Sequence, residues 1–550
     1  MAIFHLFYKF KKNKMSKRNL ILLSVLSGIL LTPAWYSWGS GLFLLFALVP
    51  LLFVEYELNK HPGKFKRRLN FWIPFLGFFI FNILTTWWIK NASIAGAIVA
   101  VLLNSTLMST VFYLFSLSRR KLGDSFGYFS LVFYWIAYEY LYLHGEISWT
   151  WLNLGNGFAN DIRLIQWFEV TGVLGGTLWV LMMNILIFKV LRVWRFTRSL
   201  LEAKTDLIIF LIVLIVPASY SLIRFYTYKE KKHPYNIVIL QPNIDPYEKF
   251  NDIPPAEQMD ILLNLASGTT DSLTDYIVVP ETFINNNLWL DDMESNPSIQ
   301  SIRKFLKDYP KAKMVVGATT YKFYPNTEQK SETARPFREG FYDSFNTALQ
   351  IDSTQNIQFY HKSQLVVGVE KMPYTKTLKF LEKIMLNLGG TFRSHGIQEE
   401  RSCLYSPQDS LSIATPICYE SVFGEFVSEY LVQGKESFIF VITNDGWWGN
   451  SPGYVQHNSF SGIRAIENRR SIARSANTGI SSFISQRGEI LQEIGWWKRS
   501  AIKASLNAND KMSFYTLHGD YIGRVSVFFG IFFALYTFVK ILMTMKSLRD

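Results

Sequence analysis

Long apolar stretches, separated by loops that are alternately basic and neutral, constrain this chain more than any other feature. About 20 consecutive apolar residues can cross a bilayer as a helix. Stretches of spanning or near-spanning length lie at residues 19–34, 38–54, 71–89, 93–116, 126–143, 166–191, 206–224 and 522–544. The sequence therefore predicts a membrane domain with about seven transmembrane helices over 1–225, a different domain over 226–516, and a final transmembrane helix with a tail over 517–550.

Lysine and arginine cluster in every second loop, at residues 9–18, 60–68, 119–121, 192–204 and 546–549. Cytoplasmic loops carry such an excess of positive charge. The pattern predicts cytoplasmic termini and places 226–516 outside. The first two apolar stretches are short enough to form a re-entrant pair, but the loop charges favour full crossings. No small-residue cleavage site follows Leu31, so we expect an uncleaved anchor rather than a signal peptide.

Composition supports a membrane protein and argues against a nucleic-acid-binding one. Hydrophobic residues make up 49% of the 550 residues, aromatic residues 16% and charged residues only 18%. The net charge of +13 comes mainly from the loops between apolar stretches, where it determines topology. Two cysteines, Cys403 and Cys418, are too few for a disulfide framework, and we expect them to lie too far apart to bridge.

From Tyr235 onwards the sequence has the texture of an α/β domain. Runs of β-branched residues predict buried strands at 236–240, 276–280, 314–317, 411–415 and 438–442. Stretches with helical spacing lie between several of them, at 255–268 and 297–308, and such alternation predicts a sheet with covered faces. The polar stretch 323–340 is predicted to be a surface loop or insertion.

Four polar groups follow predicted strands, where active groups of such sheets tend to lie. They are Glu281, Lys362, Cys418 and the pair Asn444-Asp445. A thiol needs a neighbouring base or positive charge to react at neutral pH, and an ammonium can stabilise an oxyanion. Each residue alone has an ordinary interpretation, such as a surface acid, a solvated lysine or a small buried hydrophobe. Together they make a nucleophilic site as plausible as those interpretations.

The order Glu281, Lys362, Cys418 resembles the Glu-Lys-Cys triad of the nitrilase superfamily, and the flanking sequence resembles the apolipoprotein N-acyltransferase family within it. The matching stretches are Val279-Pro-Glu-Thr282, Lys362-Ser-Gln-Leu-Val-Val-Gly-Val-Glu370 with Pro373, Pro416-Ile-Cys-Tyr-Glu420, Asn444-Asp-Gly-Trp-Trp-Gly449, Gln456-His457, the stretches 464–474 and 476–481, Trp149-Thr-Trp-Leu-Asn-Leu-Gly155 and Gln166-Trp167. The resemblance extends over almost the whole chain.

The resemblance implies a multi-pass helical membrane domain joined to an extracytoplasmic nitrilase-like α-β-β-α sandwich. It implies an enzyme of the bacterial inner membrane with its catalytic domain on the periplasmic side. Glu281, Lys362 and Cys418 would be catalytic. A phospholipid would be the acyl donor and diacylglyceryl apolipoproteins the acceptors, through a thioester on Cys418. We expect no cofactor, no metal, no nucleic acid and a monomer.

Supporting roles are expected for Glu370, Tyr419 and Glu420. The family usually has a Pro-Phe-Gly turn before its glutamate, whereas this chain has Val367-Gly-Val369, so the local turn must differ. The Tyr419 amide is placed to help bind an oxyanion. Glu420 could orient Lys362 or a loop, or form a structural ion pair.

Four tryptophans, Trp149, Trp289, Trp447 and Trp448, are candidates for substrate binding. Trp447 and Trp448 could equally be core aromatics. The segment 285–290 is predicted to be a mobile loop that dips Leu288, Trp289 and Leu290 into the bilayer interface. His457 is expected to be a hydrogen-bonded structural histidine. Four charged residues at helical spacing are expected to form one ion-pair network, namely Arg464, Glu467, Arg470 and Arg474.

Two other functions remain open from the sequence. A membrane-tethered amidase would use the same triad with water as the second nucleophile. A non-catalytic lipoprotein-binding protein would keep the scaffold without the chemistry. The tryptophan-rich membrane motifs weigh against the first alternative, and the presence of all three triad residue types weighs against the second.

Overall fold

The computed structural model describes residues 15–61, 63–250, 252–325, 327–354, 356–371, 394–432, 435 and 437–547. Pro373 and the basic residues that precede Met15 lie outside the described residues, as does Arg549. The predicted domain limits at residues 225 and 516 stay predictions.

The first part of the chain is helical, as its apolar runs predict. Its helices are α1 (Lys17–Leu31), α2 (Leu44–Ala47), α3 (Val49–Lys60), α4 (Leu69–Thr86), α5 (Ile94–His144), α6 (Phe168–Thr197) and α7 (Lys204–Thr227). Across the described residues, 7 helical stretches are long and apolar enough to cross a membrane, by length and composition. The first two of these stretches are Lys17–Trp35 and Gly41–Lys60. They correspond to the two short apolar runs that were considered as a re-entrant pair, and each is long enough to cross a membrane.

Helix α5 contains two of the predicted spans, because it folds back on itself. Gly123, with φ of 83°, interrupts its 51 residues. Ser118 Oγ and Tyr134 Oη lie 2.9 Å apart, although sixteen residues of continuous helix would extend about 24 Å. The two halves therefore run antiparallel, and the basic residues 119–121 lie at the bend.

The second part of the chain forms two sheets. Its strands are β1 (Pro234–Gln241), β2 (Tyr276–Val278), β3 (Ile284–Trp289), β4 (Lys313–Tyr324), β5 (Arg335–Phe337), β6 (Gly340–Ile351), β7 (Gln358–His361), β8 (Leu404–Ser406), β9 (Leu411–Ala414), β10 (Ser437–Thr443), β11 (Ile472–Ala476), β12 (Ser481–Ile484), β13 (Ile490–Ile494) and β14 (Ser500–Asn507). One sheet has the order β14-β1-β2-β4-β6-β5, with β3 on β4 and β7 on β6; the other has the order β13-β12-β11-β10-β9-β8.

Helices cover the outer faces of both sheets. They are α8 (Pro255–Ser267) and α9 (Pro297–Lys307) on the first sheet and α10 (Gly424–Leu431) and α11 (Pro452–Asn468) on the second. Successive residues of a strand face opposite sides of its sheet. In β1, Ile237 packs against the second sheet and Val238 packs under α8 and α9, so both are buried. The five predicted strands, both predicted helices and the predicted sandwich are confirmed.

The sandwich rests on the helical part through α11. Phe460 and Ile463 of α11 belong to the same apolar core as Trp151 and Trp179 of the helical part. The chain then returns through α12 (Phe514–His518) to the last long helix, α13 (Tyr521–Lys546), which packs along α5. The membrane-facing helices and the sandwich thus share a core beside the second sheet.

The stretch 323–340, predicted to be a surface loop or insertion, contains the end of β4 and the short strand β5, which pairs with β6. Another local prediction about the sandwich is wrong. The segment 285–290 is not a mobile loop, because β3 pairs with β4 and Leu288 is fully buried in the core. The three consecutive asparagines of β3 interrupt the alternation of apolar and polar residues that would predict a strand. The aromatic residues that pack against Trp289 of β3 come from a hairpin that is distant in sequence.

Candidate active site

Glu281 and Lys362 meet at one edge of the first sheet. Glu281 follows β2 and Lys362 follows β7, and the pairings through β4 and β6 make these two strands run in the same direction. Both side chains are buried, with 6% and 1% exposure. Lys362 Nζ donates to Glu281 Oε1 at 3.1 Å. The structure therefore brings together two residues that lie far apart in sequence.

The turn that carries Glu281 approaches β4 very closely. A Cβ on Gly317 would lie 2.5 Å from the Glu281 Cα and 2.6 Å from the Pro280 carbonyl oxygen. The Gly317 amide donates to that carbonyl at 3.1 Å. Glycine is required here because a side chain would push the backbone of Glu281 away from the sheet.

Glu370 completes a buried group of charges around Lys362. Its Oε1 accepts from Lys362 Nζ at 2.9 Å and its Oε2 accepts from the Val366 amide at 2.8 Å. Burial opposes its ionisation, but the Lys362 ammonium and the Val366 amide outweigh burial and hold the pKa of Glu370 below its usual range. Gly368, with φ of 82°, lies at the centre of the Val367-Gly-Val369 turn. The altered turn therefore still directs Glu370 at Lys362.

Cys418 occupies a strained elbow after β9. Its φ of 51° lies in the left-handed region, which is unusual for a residue other than glycine. It begins a 3-10 helix, Cys418–Val422, directly after the last apolar residues of the strand segment. Strain of this kind costs about 1–3 kcal/mol and persists only where the surroundings hold it in place.

The charges of the site act on the thiol. Burial raises the pKa of Cys418, the Glu281 carboxylate adds to the rise, and Lys362 opposes it. Burial would lower the pKa of Lys362, but Glu281 and Glu370 raise it well above the usual range. Lys362 is therefore an ammonium, and Cys418 rests as a neutral thiol that needs a base.

The end of β10 contacts both the thiol and the carboxylate. The Thr443 side chain hydrogen-bonds with Cys418, and the Asn444 amide donates to Glu281 Oε2 at 3.1 Å. The four groups predicted at strand ends, Glu281, Lys362, Cys418 and Asn444-Asp445, thus surround one buried spot.

Glu420 fastens the Cys418 elbow to the loop after Lys362. Its Oε1 accepts from the amides of Ser363 and Gln364, at 2.6 and 3.1 Å. Its Oε2 accepts from the Ile417 amide at 2.8 Å. Glu420 is fully buried, and burial raises its pKa. Of the two interpretations of this residue, the contacts favour orientation of the loop.

Tyr419 joins the elbow to the helical part of the molecule. Its hydroxyl donates to the carbonyl oxygen of Ser148, just after α5, at 2.7 Å. Gln364, from the loop after Lys362, donates to the Ser148 hydroxyl, also at 2.7 Å. One residue of the helical part therefore holds both sides of the site.

The four candidate tryptophans have different surroundings. Trp149 stacks on Trp151 with ring centroids 5.8 Å apart, and Trp448 contacts Trp151 at 5.6 Å. Trp448 thus belongs to an aromatic cluster shared with the helical part. Trp447 instead contacts Tyr247 and is 36% exposed, so it is not a core residue. Trp289 packs against Phe337, Tyr321 and Tyr342 on the β4–β6 hairpin.

His457 supports the elbow from behind, in line with the expected structural role. Its Nε2 lies 3.2 Å from the Cys418 carbonyl oxygen. Its Nδ1 lies 2.9 Å from Asp445 Oδ1 and 3.0 Å from a guanidinium nitrogen of Arg474. Burial and Arg474 lower the pKa of His457, which keeps it neutral.

The comparisons with known proteins cover both parts of the chain. A model of the apolipoprotein N-acyltransferase N-terminal domain matches residues 27–186, and a model of the carbon-nitrogen hydrolase family matches residues 239–512. An apolipoprotein N-acyltransferase from Chlorobaculum tepidum is 28% identical over 513 residues, which cover 92% of this chain and 93% of that protein.

The chain belongs to the apolipoprotein N-acyltransferase family.

A further relative matches nearly the whole chain, and a solved structure matches about half of it. The apolipoprotein N-acyltransferase from Thermotoga maritima is 24% identical and covers 93% of this chain and 92% of its own length. A solved carbon-nitrogen hydrolase superfamily protein from Xanthomonas campestris is 16% identical and covers 54% of this chain and 97% of its own, with a TM-score of 0.34.

Sequence reasoning missed Asn346, which bridges the acidic groups of this family member. Asn346 Nδ2 donates to Glu281 Oε1 at 2.7 Å and to Glu370 Oε1 at 3.3 Å. The main-chain carbonyl oxygen of Asn346 accepts from the Lys362 amide at 2.8 Å. A polar residue inside the buried run of β6 is the signal that could have found it.

The predicted single ion-pair network of residues 464–474 is wrong. Helix α11 ends at Asn468, so helical spacing does not continue to Arg474, which lies in β11. Arg464 pairs with Glu467 at 2.8 Å, whereas Arg474 pairs with Asp445 at 2.7 Å. Arg470 donates to the Ser437 hydroxyl and the Lys511 carbonyl oxygen. Among the described residues, no group of His, Cys, Asp and Glu is arranged to hold a metal ion.

Proposed function

We propose that this chain transfers an acyl chain from a membrane phospholipid to the α-amino group of the N-terminal S-diacylglyceryl-cysteine of apolipoproteins. One observation carries the mechanism: Glu281 and Lys362 lie in contact beside Cys418, and Tyr419 fastens the elbow to the membrane part. Family relatives that bear the name apolipoprotein N-acyltransferase over nine tenths of the chain support the same reaction.

In the first half-reaction, Glu281 takes the proton of the Cys418 thiol. The sulfur attacks the ester carbonyl of the phospholipid, and the Lys362 ammonium stabilises the oxyanion together with the Tyr419 amide at the start of the 3-10 helix. The C–O bond then breaks. The departing glycerol oxygen takes the proton from Glu281, a lysophospholipid leaves, and a thioester remains on Cys418.

In the second half-reaction, the acceptor's α-amino nitrogen attacks the thioester carbonyl. An α-amino group has a pKa of about 7.7–8.0, so part of it is neutral near pH 7. Glu281 removes the proton that the nitrogen loses when the amide bond forms. The C–S bond breaks, and the Cys418 sulfur recovers a proton, which restores the resting thiol.

The membrane helices explain how both substrates reach the site. The donor and the acceptor keep their acyl chains in the bilayer, and extraction into water would cost about 0.8 kcal/mol per CH₂ group. A site held at the membrane surface avoids most of this cost. A soluble amidase has no need of the Ser148 contacts, which favours acyl transfer over hydrolysis of a soluble amide.

Intact mass spectrometry of protein purified from membranes tests the reaction. We expect an acyl-sized adduct on Cys418 that hydroxylamine removes. A membrane-tethered amidase would hydrolyse amides without retaining a phospholipid-derived chain, and a non-catalytic scaffold would carry no adduct. Failure to load Cys418 in the presence of phospholipid contradicts the proposal.

We further propose that the sandwich lies on the periplasmic side of the bacterial inner membrane and that both termini are cytoplasmic. The alternation of basic and neutral loops supports this orientation. Single reporter cysteines in a cysteine-free background test it. A membrane-impermeant maleimide added outside should label Glu328→Cys on the β4–β5 connection but not Lys66→Cys between α3 and α4. The reverse labelling contradicts the orientation.

A further inference from the structure

A second buried lysine lies directly beneath Glu281. Lys249 belongs to the connection between β1 and α8, and its side chain is only 1% exposed. Its Nζ donates to the main-chain oxygen of Glu281 at 3.2 Å and to Thr282 Oγ1 at 3.3 Å. Within the described chain, no carboxylate forms an ion pair with it. An ammonium buried without a paired carboxylate is costly, so its position calls for an explanation.

The turn that Lys249 contacts is strained. Thr282 has φ of 50°, and a β-branched residue in the left-handed region is a genuine outlier. This turn sets the direction in which the Glu281 side chain leaves the backbone. Gly317 confines the turn from the side of β4, and Lys249 holds it from the other side.

Lys249 is itself held rigidly. Its carbonyl oxygen accepts from Gln258 Nε2 at 2.6 Å and from Asn285 Nδ2 at 3.1 Å. Its amide donates to the Asp245 carbonyl oxygen at 2.9 Å. These contacts come from the turn before α8, from α8 and from β3, so the backbone of Lys249 is fixed before any substrate binds.

The charged groups around Glu281 support the same role for Lys249. The charged and titratable groups around Glu281 are Lys249, Lys362, Glu370 and Cys418, from three separate segments. Burial lowers the pKa of Lys249 to about 7, against the pull of Glu281. Lys249 therefore carries its positive charge below neutral pH.

We propose that Lys249 is a positioning residue for Glu281, which holds the strained 281–282 turn in place and favours the carboxylate form that accepts the Cys418 proton. The inference rests on the proposed role of Glu281 as the base. Lys249 touches the backbone of that residue and acts through it, so it is not itself a catalytic group.

Alkylation of Cys418 by iodoacetamide, followed by mass spectrometry over a range of pH, tests this role in the full-length protein. Lys249→Met should move the acid-side half-point of the alkylation rate up by about one pH unit, because loss of a nearby cation favours the neutral carboxyl group. Well below the half-point the rate should fall about tenfold, and the difference should shrink above the half-point. Lys249→Arg, which keeps the charge, should restore the wild-type half-point.

Lys313→Met is the matched control, since Lys313 at the start of β4 is also buried and pairs with Asp409 away from the triad. It should lower thermal stability without moving the half-point. Lys249→Gln replaces Lys249→Met if the latter does not fold, and the same shift is expected. A folded, uncharged variant with the wild-type half-point overturns the inference. Because the reagent replaces phospholipid, that result is distinct from a failure of Cys418 to accept an acyl chain.

Discussion

The two cysteines share burial but differ in the groups that surround their thiols. Cys403 precedes β8, and its Sγ donates to the Tyr430 carbonyl oxygen at 3.2 Å. Cys418 follows β9 on a strained elbow beside Glu281 and Lys362. Both are free cysteines, and burial raises the pKa of both. Burial alone therefore makes a thiol less reactive, and only the neighbours of Cys418 can reverse that effect.

The sharpest test of this comparison removes each thiol in turn. We expect Cys418→Ala to abolish acyl loading and transfer, because this change removes the thiol that lies beside Glu281 and Lys362. Cys403→Ala should keep wild-type activity. Loading is measured by intact mass spectrometry and transfer by the mobility of an acylated lipopeptide. Acyl loading that survives in Cys418→Ala would show that the two thiols have been assigned the wrong way round.

Removing the neighbours should make Cys418 resemble Cys403. Glu281→Gln cannot take the thiol proton, and Lys362→Met removes the oxyanion partner, so each should slow thioester formation by about 10²–10³ or more. Single-turnover loading measures the rate. Lys313→Met serves as the control for loss of a buried lysine. Wild-type loading in either site variant would assign that residue a structural role.

The pH dependence of alkylation separates the two thiols without mutation. Burial raises the pKa of Cys403 to about 12, so its thiolate fraction, and with it the alkylation rate, should rise about tenfold per pH unit through pH 9–11. Cys418 has a base beside it, so its rate should level off near neutral pH. The alkylation rates are measured by peptide mass spectrometry. If both cysteines showed the same pH dependence, the proposed difference in reactivity between them would be wrong.

The smallest expected effect concerns the hydrogen bond that Tyr419, the neighbour of Cys418, makes to the membrane part. Tyr419→Phe removes the hydrogen bond to Ser148 but keeps the ring, and a bond of this kind contributes about 1 kcal/mol. We expect a fall in acyl transfer of about fivefold and no change at Cys403. Tyr276→Phe, which loses a bond to Asp409, is the control. Equal falls in acyl transfer for Tyr419→Phe and Tyr276→Phe would mean that the hydrogen bond to Ser148 has no specific role in the reaction.

Much of this arrangement could be predicted from the sequence, because the signals are local. The apolar runs, the β-branched strands and the polar groups that follow them can each be recognised within one continuous stretch of sequence. Their convergence follows from a rule about parallel strands. The resemblance to a family then identified Glu281, Lys362 and Cys418 as one set.

The parts that were missed depend on contacts between distant segments. Nothing near Asn346 or Lys249 in the sequence shows that both reach Glu281. The sequence predicts a loop at β3 because the residues that stabilise this strand, in β4 and at Phe337, are distant from it in sequence. The fold-back of α5 at Gly123 was implied only by the basic residues between two apolar runs.

The double contact of Ser148 has a consequence for how the enzyme responds to its lipid surroundings. Bilayers differ in thickness by a few Å, and spanning helices adjust by tilting. Since Tyr419 and Gln364 both bond to Ser148, a tilt of α5 should move the Cys418 side and the Lys362 side of the site together. The distances within the site should then change little with membrane thickness. Under the proposed acyl transfer, lipid composition would change the height of the Cys418 sulfur above the lipid ester rather than the arrangement of the groups around it.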